Sequence, residues 1–226
     1  MVREFLKEFG YYGFLAIGSV SMLILSIWRR NRYALSFISA VCFPLVLLIC
    51  GISGAKLLFY FESGFKSFSG MSFFGAVYLV MLIMPLIGYV FQLKPLQTLD
   101  ACAPCVASII GFMRFGCFCA GCCGGIACNI GTLSFYWPTQ IIEGFGDILI
   151  LAVLLSIEQK EEWNGCLYPV FLVSYGILRL LVEFVRDTPK NIMGFSEGQW
   201  LAFLGVLLGV GAIMCIRREK TNDCRP

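Results

Sequence analysis

Residues 111–125 read GFMRFGCFCAGCCGG. An apolar segment reaches Arg114 and then breaks into a run of glycine and cysteine. Arginine stays protonated in proteins. A charge within a membrane-crossing helix costs about 2.5 kcal/mol or more, so it marks a functional site by default. An arginine at a span end can also simply extend its head toward lipid headgroups. The residues that follow favour function. Gly116, Gly121, Gly124 and Gly125 let the backbone approach a ligand and present N–H donors. Beside a guanidinium, that arrangement suits an anionic phosphate.

The rest of the chain fits a membrane setting. Its 226 residues are 59% hydrophobic and 14% charged, with a mean hydropathy of +0.84. A soluble domain of this size could not hide so much apolar surface, and the composition indicates an all-α polytopic membrane protein. The net charge of +3, with no basic cluster outside the span ends, excludes nucleic acid as a partner. The apolar run Gly10–Trp28 stops at Arg29 and Arg30 rather than at a small-residue cleavage site. It is therefore expected to be a retained span and not a signal peptide.

Apolar runs predict about seven transmembrane helices: 10–28, 34–59, 71–92, 101–119, 140–157, 167–185 and 199–216. With the N-terminus outside, cytoplasmic segments carry nine basic residues: Arg29, Arg30, Arg32, Lys94, Lys160, Arg217, Arg218, Lys220 and Arg225. The outer segments carry five: Arg3, Lys7, Lys66, Arg186 and Lys190. The asymmetry predicts N-out, C-in. Residues 1–226 are expected to form a single transmembrane domain. Its longest connection, 120–139, lies on the outer face and holds no lysine or arginine. Gly51 and Gly54, and Gly205 and Gly209, are expected to be close helix-packing faces.

Polar residues within the spans keep helical phase. Gln140, Glu143 and Asp147 are three and four apart, hence on one face. Tyr175, Arg179, Glu183 and Arg186 do the same over about three turns. Arg179 and Glu183 can pair at i,i+4, which makes burial of both tolerable. An ion pair of purely structural purpose would explain those two alone. Three polar faces, on spans four, five and six, instead predict one cavity toward the outer ends lined by Arg114, Glu143 and Arg179.

The chain holds 12 cysteines and no histidine. Metal sites of the zinc or iron–sulfur kind use two separated cysteine pairs. The pair Cys102 and Cys105 opens the same helix that ends near Cys117, about 18 Å away at roughly 1.5 Å per residue. No metal is expected; the small cysteines serve as packing residues, with an outer-face disulfide such as one involving Cys128 as the alternative.

In their order along the chain, these motifs resemble the prolipoprotein diacylglyceryl transferase family of bacterial membrane enzymes. Tyr12-Gly13 is similar to a family tyrosine–glycine, and GISGAKLLFY from Gly51 to Tyr60 to its glycine-spaced segment, with Lys56 where arginine is usual. Asp100 to Pro104 (DACAP) opens span four as in the family. Arg114 to Gly121 (RFGCFCAG) resembles the signature, with Gly125 on a signature glycine. Pro138 to Glu143 (PTQIIE), Tyr175 to Arg186 and Gly198-Gln199 complete the series. Several positions depart from the pattern. Phe74 and Trp137 stand where the family carries histidines, and Cys117, Ala120 and Cys122 replace asparagines and a glutamate of the signature.

The resemblance implies a multi-pass enzyme of the bacterial cytoplasmic membrane, without cofactor. It would move diacylglycerol from phosphatidylglycerol, or a similar anionic phospholipid, to the cysteine thiol of a lipoprotein precursor, and glycerol phosphate would leave. Arg114 and Arg179 are expected to hold the phosphate through bidentate contacts. Glu143 or Glu183 would replace histidine as proton acceptor, Glu183 being the poorer choice beside Arg179; alternatively the arginine field alone activates the thiol. Tyr12, Gly116, Gly121, Gly125, Gln140 and Tyr175 are expected to bind substrate. Other readings are a paralogue serving another acceptor, a silent phospholipid binder and, more weakly, a transporter.

Overall fold

In a computed structural model, which describes residues 2–67, 70–130, 133–190 and 193–223, the seven expected segments are helices. They are α1 (Val2–Arg29), α2 (Phe37–Glu62), α3 (Phe73–Ile87), α4 (Pro95–Ala120), α5 (Thr139–Glu158), α6 (Leu167–Glu183) and α7 (Glu197–Asp223). A 3-10 turn, Gly88–Phe91, extends α3. Six are long and apolar enough to cross a membrane. The exception is α6, at 17 residues, which carries Arg179 and Glu183 in its last two turns. Helices dominate because hydrocarbon offers no partner to a backbone N–H or C=O, and a helix satisfies its own.

Local chemistry sets the helix starts. Ser36 begins α2, its hydroxyl accepting from the Ser39 N–H at 3.1 Å. A reciprocal capping box begins α7: the Ser196 hydroxyl accepts from the Gln199 N–H at 3.2 Å, and Gln199 Oε1 accepts from the Ser196 N–H at 2.9 Å. The 120–139 connection, expected as a loop, contains a hairpin of β1 (Ala127–Ile130) and β2 (Leu133–Tyr136), with Ala127 opposite Tyr136.

The chain divides into two compact units. One comprises residues 1–18, 107–153 and 169–226. In it Gly209 of α7 leaves no room for a Cβ, which would stand 2.7 Å from the Pro169 carbonyl oxygen. This is the close packing expected there. Its hairpin is tied to the end of α6, since the Ile126 N–H donates to the Val185 carbonyl at 2.9 Å.

The other unit comprises residues 19–106 and 154–168. Here α2 and α3 press together through Gly54 and Gly75, each abutting the other's carbonyl oxygen. A buried ion pair also sits in this unit. Arg29 Nε donates to both oxygens of Glu158, at 3.0 and 2.9 Å. Its Nη1 and Nη2 donate to the carbonyls of Ala101 and Asp100, both at 3.0 Å. The Asp100 carboxylate accepts from the N–H groups of Gly165 and Leu167 at the entry to α6. Arg29 is thus buried at 6% exposure, where the sequence suggested a charge flanking the span. Phe74 is buried in α3 with its ring stacked on Tyr78.

Candidate functional site

Three helix ends in the first unit carry the charged residues singled out in the sequence. Arg114 lies in the penultimate turns of α4, Glu143 and Asp147 in the first turns of α5, and Arg179 and Glu183 at the end of α6. All five are buried, and Arg114, Glu143 and Asp147 are no more than 1% exposed. The helical phases inferred from the spacing therefore converge.

Glu143 is the hub. Its Oε2 meets Arg114 Nε at 2.6 Å, and its Oε1 accepts from Arg179 Nη1 and from Arg186 Nη1, the latter at 3.1 Å. Three guanidinium groups thus surround one carboxylate. Arg179 Nη2 also donates to Glu183 Oε2 at 2.8 Å, the i,i+4 pair expected from the sequence. Glu183 Oε1 is taken by the hydroxyls of Thr188 and Ser196, at 2.8 and 3.0 Å. Glu183 therefore fastens the end of α6 to the cap of α7, with Gly198 packed against its carboxylate.

Three arginines meet two glutamates here, an excess of one positive charge before Asp147 is counted. Asp147 sits one turn further along α5, where Gly111 of α4 makes room for it: a Cβ there would lie 3.2 Å from the Asp147 Cβ. Neither Asp147 oxygen has a hydrogen-bond partner among the described residues. A buried cationic excess is expensive without an anion.

The loop after α4 closes over the start of α5. Gly121, at φ +72°, turns the chain out of the helix, a conformation glycine adopts without steric cost. Gln140 Nε2 donates to the Cys122 carbonyl at 2.6 Å, and the Thr139 hydroxyl to the Cys123 carbonyl at 2.9 Å. Gly125 has no space for a side chain, since a Cβ would stand 2.6 Å from both Trp137 Cβ and the Val185 carbonyl oxygen. Outside the spans, the hydrogen bond with Cys117 holds the Cys123 thiol down to about 5 against the opposing effect of burial, and the charges of Arg186 and Arg114 assist. Burial pushes the neighbouring Cys122 thiol up.

Of the expected substrate-binding residues, Gln140, Gly121 and Gly125 shape this loop. Tyr175 is buried one turn before Arg179, stacked on Phe171. Gly116 instead packs on α1, where a Cβ would stand 3.2 Å from the Tyr11 carbonyl oxygen. Tyr12 is 64% exposed, and its neighbour Tyr11 is the one that lies against the signature. Arg186 is the residue sequence reasoning undervalued. It shares the Tyr175–Arg179–Glu183 phase, yet the apolar run ending at Val185 places it among the outer-segment charges.

The model of the family described as prolipoprotein diacylglyceryl transferase matches residues 6–215. A phosphatidylglycerol–prolipoprotein diacylglyceryl transferase of Clostridium tetani is 28% identical over 91% of this chain and 92% of its own length. One of Idiomarina loihiensis is 31% identical over 75% of this chain and 66% of its own. A third, numbered 2 in Clostridium perfringens, is 25% identical over 95% of this chain and 92% of its own.

Proposed function

The chain belongs to the prolipoprotein diacylglyceryl transferase family, and we propose that it transfers diacylglycerol from phosphatidylglycerol to the cysteine thiol of a lipoprotein precursor. The observation that carries this reading is the convergence of Arg114, Arg179 and Arg186 on Glu143. A phospholipid phosphate supplies the negative charge the cluster lacks, and arginine forks match its oxygens two at a time. In the reaction the thiol sulfur bonds to the glycerol carbon that carries the phosphate. The carbon–oxygen bond breaks, and glycerol phosphate leaves with the electron pair. Guanidinium groups aimed at that phosphate stabilise the charge gathering on it.

The proton of the thiol needs a destination, and the chain has no imidazole to provide it. Glu143 fills the role through exchange of partners. Before the lipid arrives its Oε1 accepts from Arg179 and Arg186, and its Oε2 is ion-paired with Arg114. A bound phosphate competes for Arg114 and Arg179, and the released carboxylate accepts the proton. Glu183 stays with Thr188 and Ser196 and serves as the clamp that orients Arg179. Under the charge asymmetry of the loops, with the N-terminus out and the C-terminus in, the cluster lies in the outer leaflet. A secreted precursor presents its thiol on that side.

The test is mass spectrometry of a peptide bearing the lipoprotein cysteine after incubation with purified protein in phosphatidylglycerol vesicles. The peptide should gain one diacylglyceryl group per thiol, with release of glycerol phosphate. Phosphatidylglycerol binding with no peptide modification would instead identify a silent lipid binder.

A further inference from the structure

The cysteines outside the arginine cluster form a second constellation. Cys102 and Cys105 belong to the opposite end of α4. The sulfurs of Cys117, Cys122 and Cys123 all lie within 4.8 Å of one another. We propose that these three sulfurs form a binding site for one soft, thiophilic metal ion of the copper(I) or zinc(II) class.

Geometry is the first support. A metal–sulfur bond of about 2.3 Å places sulfurs about 3.8–4.0 Å apart in tetrahedral or trigonal coordination. The trio therefore reaches bonding distance by contracting less than about 1 Å. The backbone holds it close to that arrangement already. Cys117 sits in the last turn of α4, and the Cys122 N–H donates back to its carbonyl at 3.2 Å. Cys123 adopts φ +63°, an uncommon conformation for a residue with a side chain. Gln140 and Thr139 fix the carbonyls of Cys122 and Cys123 from the start of α5. The loop is thus braced independently of an ion.

The donor set selects the ion. Three sulfurs without histidine or carboxylate favour copper(I) and zinc and disfavour magnesium, calcium and manganese. Cys117 is buried while Cys122 and Cys123 are exposed, which gives one anchor inside and an entry path from outside. Three thiolates around a copper(I) or zinc ion leave net negative charge. The charges of Arg186 and Arg114 act on the Cys123 sulfur and offset it.

The experiment reads metal content, so its outcome is independent of lipid transfer. Purified protein in detergent, reduced with a phosphine under anaerobic conditions, is titrated with copper(I) against a chromophoric chelator. Separately it is loaded with zinc(II), desalted and measured by elemental mass spectrometry. We expect one equivalent of at least one of these ions. Cys122→Ser and Cys123→Ser should each weaken binding by about 10-fold or more, the size reached when even a supporting residue of a metal site is lost. The double variant should fall to background. Cys119→Ser and Cys128→Ser, changed at neighbouring positions, should bind as the parent does. Cys122 and Cys123 are both exposed, and a monodisperse elution profile verifies that each variant is folded. Absence of a stoichiometric ion in both titrations, or stoichiometric binding that survives the double variant, overturns the proposal.

Discussion

Among the described residues there are two buried arginine–glutamate centres, one in each unit, and they are built to opposite rules. Around Arg29, each guanidinium nitrogen has a partner: Glu158, the carbonyls of Ala101 and Asp100, and the Tyr33 hydroxyl at 3.1 Å. Glu158 takes its close pairing from Arg29, Arg32 Nε stands in a looser ion pair with it at 3.7 Å, and the Tyr33 hydroxyl donates to it at 2.7 Å as well. Around Glu143, three cations crowd one carboxylate, and Asp147 one turn away has no hydrogen-bond partner among the described residues. Burial of an arginine therefore does not by itself mark a site. The excess of three arginines over two glutamates around Glu143 is what supports a phosphate-binding reading there, because a buried charge without its counter-ion is costly.

The comparison can be broken most sharply at Arg179, which joins Glu143 to Glu183. Arg179→Ala should lower lipid turnover by about 10²–10³-fold, the loss expected when a donor to developing charge is removed. It should also destabilise the fold by leaving Glu183 without its cation. Turnover near the parental rate would mean that Arg114 and Arg186 suffice for the phosphate.

The balanced centre should respond in stability alone. Arg29→Ala removes the close partner of the buried Glu158, leaving only Arg32 at 3.7 Å, and should cost about 3 kcal/mol of stability, read as a lowered midpoint of thermal or detergent denaturation. Turnover per folded molecule should stay at the parental level. A selective loss of turnover without loss of stability would erase the distinction between the two centres.

Glu143→Gln is a smaller and more specific change. The amide keeps the shape and a carbonyl for the arginines but accepts no proton. We expect a fall of about 10²-fold in rate, the size typical of losing a general base, with phosphatidylglycerol binding retained. Normal turnover would assign Glu143 to structure alone and leave thiol activation to the arginine field.

Much of this was legible in the sequence, for physical reasons that also explain what was not. The helices were readable because a membrane demands long apolar runs. The faces of Glu143 and Arg179 were readable because i,i+4 spacing on a helix fixes direction. Arg29 was misread as a flanking charge because its partner Glu158 lies 129 positions away, and no local period reports such a pair. The hairpin escaped because strands of four residues are too short for alternation to stand out. That Tyr11 rather than Tyr12 packs on Gly116 was not readable because adjacent residues differ by about 100° around a helix, and only the packing decides which one turns inward. The cysteine trio was hidden because spacing along the chain does not show that the left-handed turns at Gly121 and Cys123 fold the loop back on Cys117.

The central claim is that the unbalanced cluster holds a phosphate through guanidinium geometry as well as charge. The most direct measurement is the turnover of Arg114→Lys beside that of Arg114→Ala, by mass spectrometry of the acceptor peptide in phosphatidylglycerol vesicles. Lysine keeps the positive charge but cannot offer a planar, bidentate fork. The account predicts that the lysine variant fails nearly as badly as the alanine variant. Full lipid transfer by Arg114→Lys would contradict it.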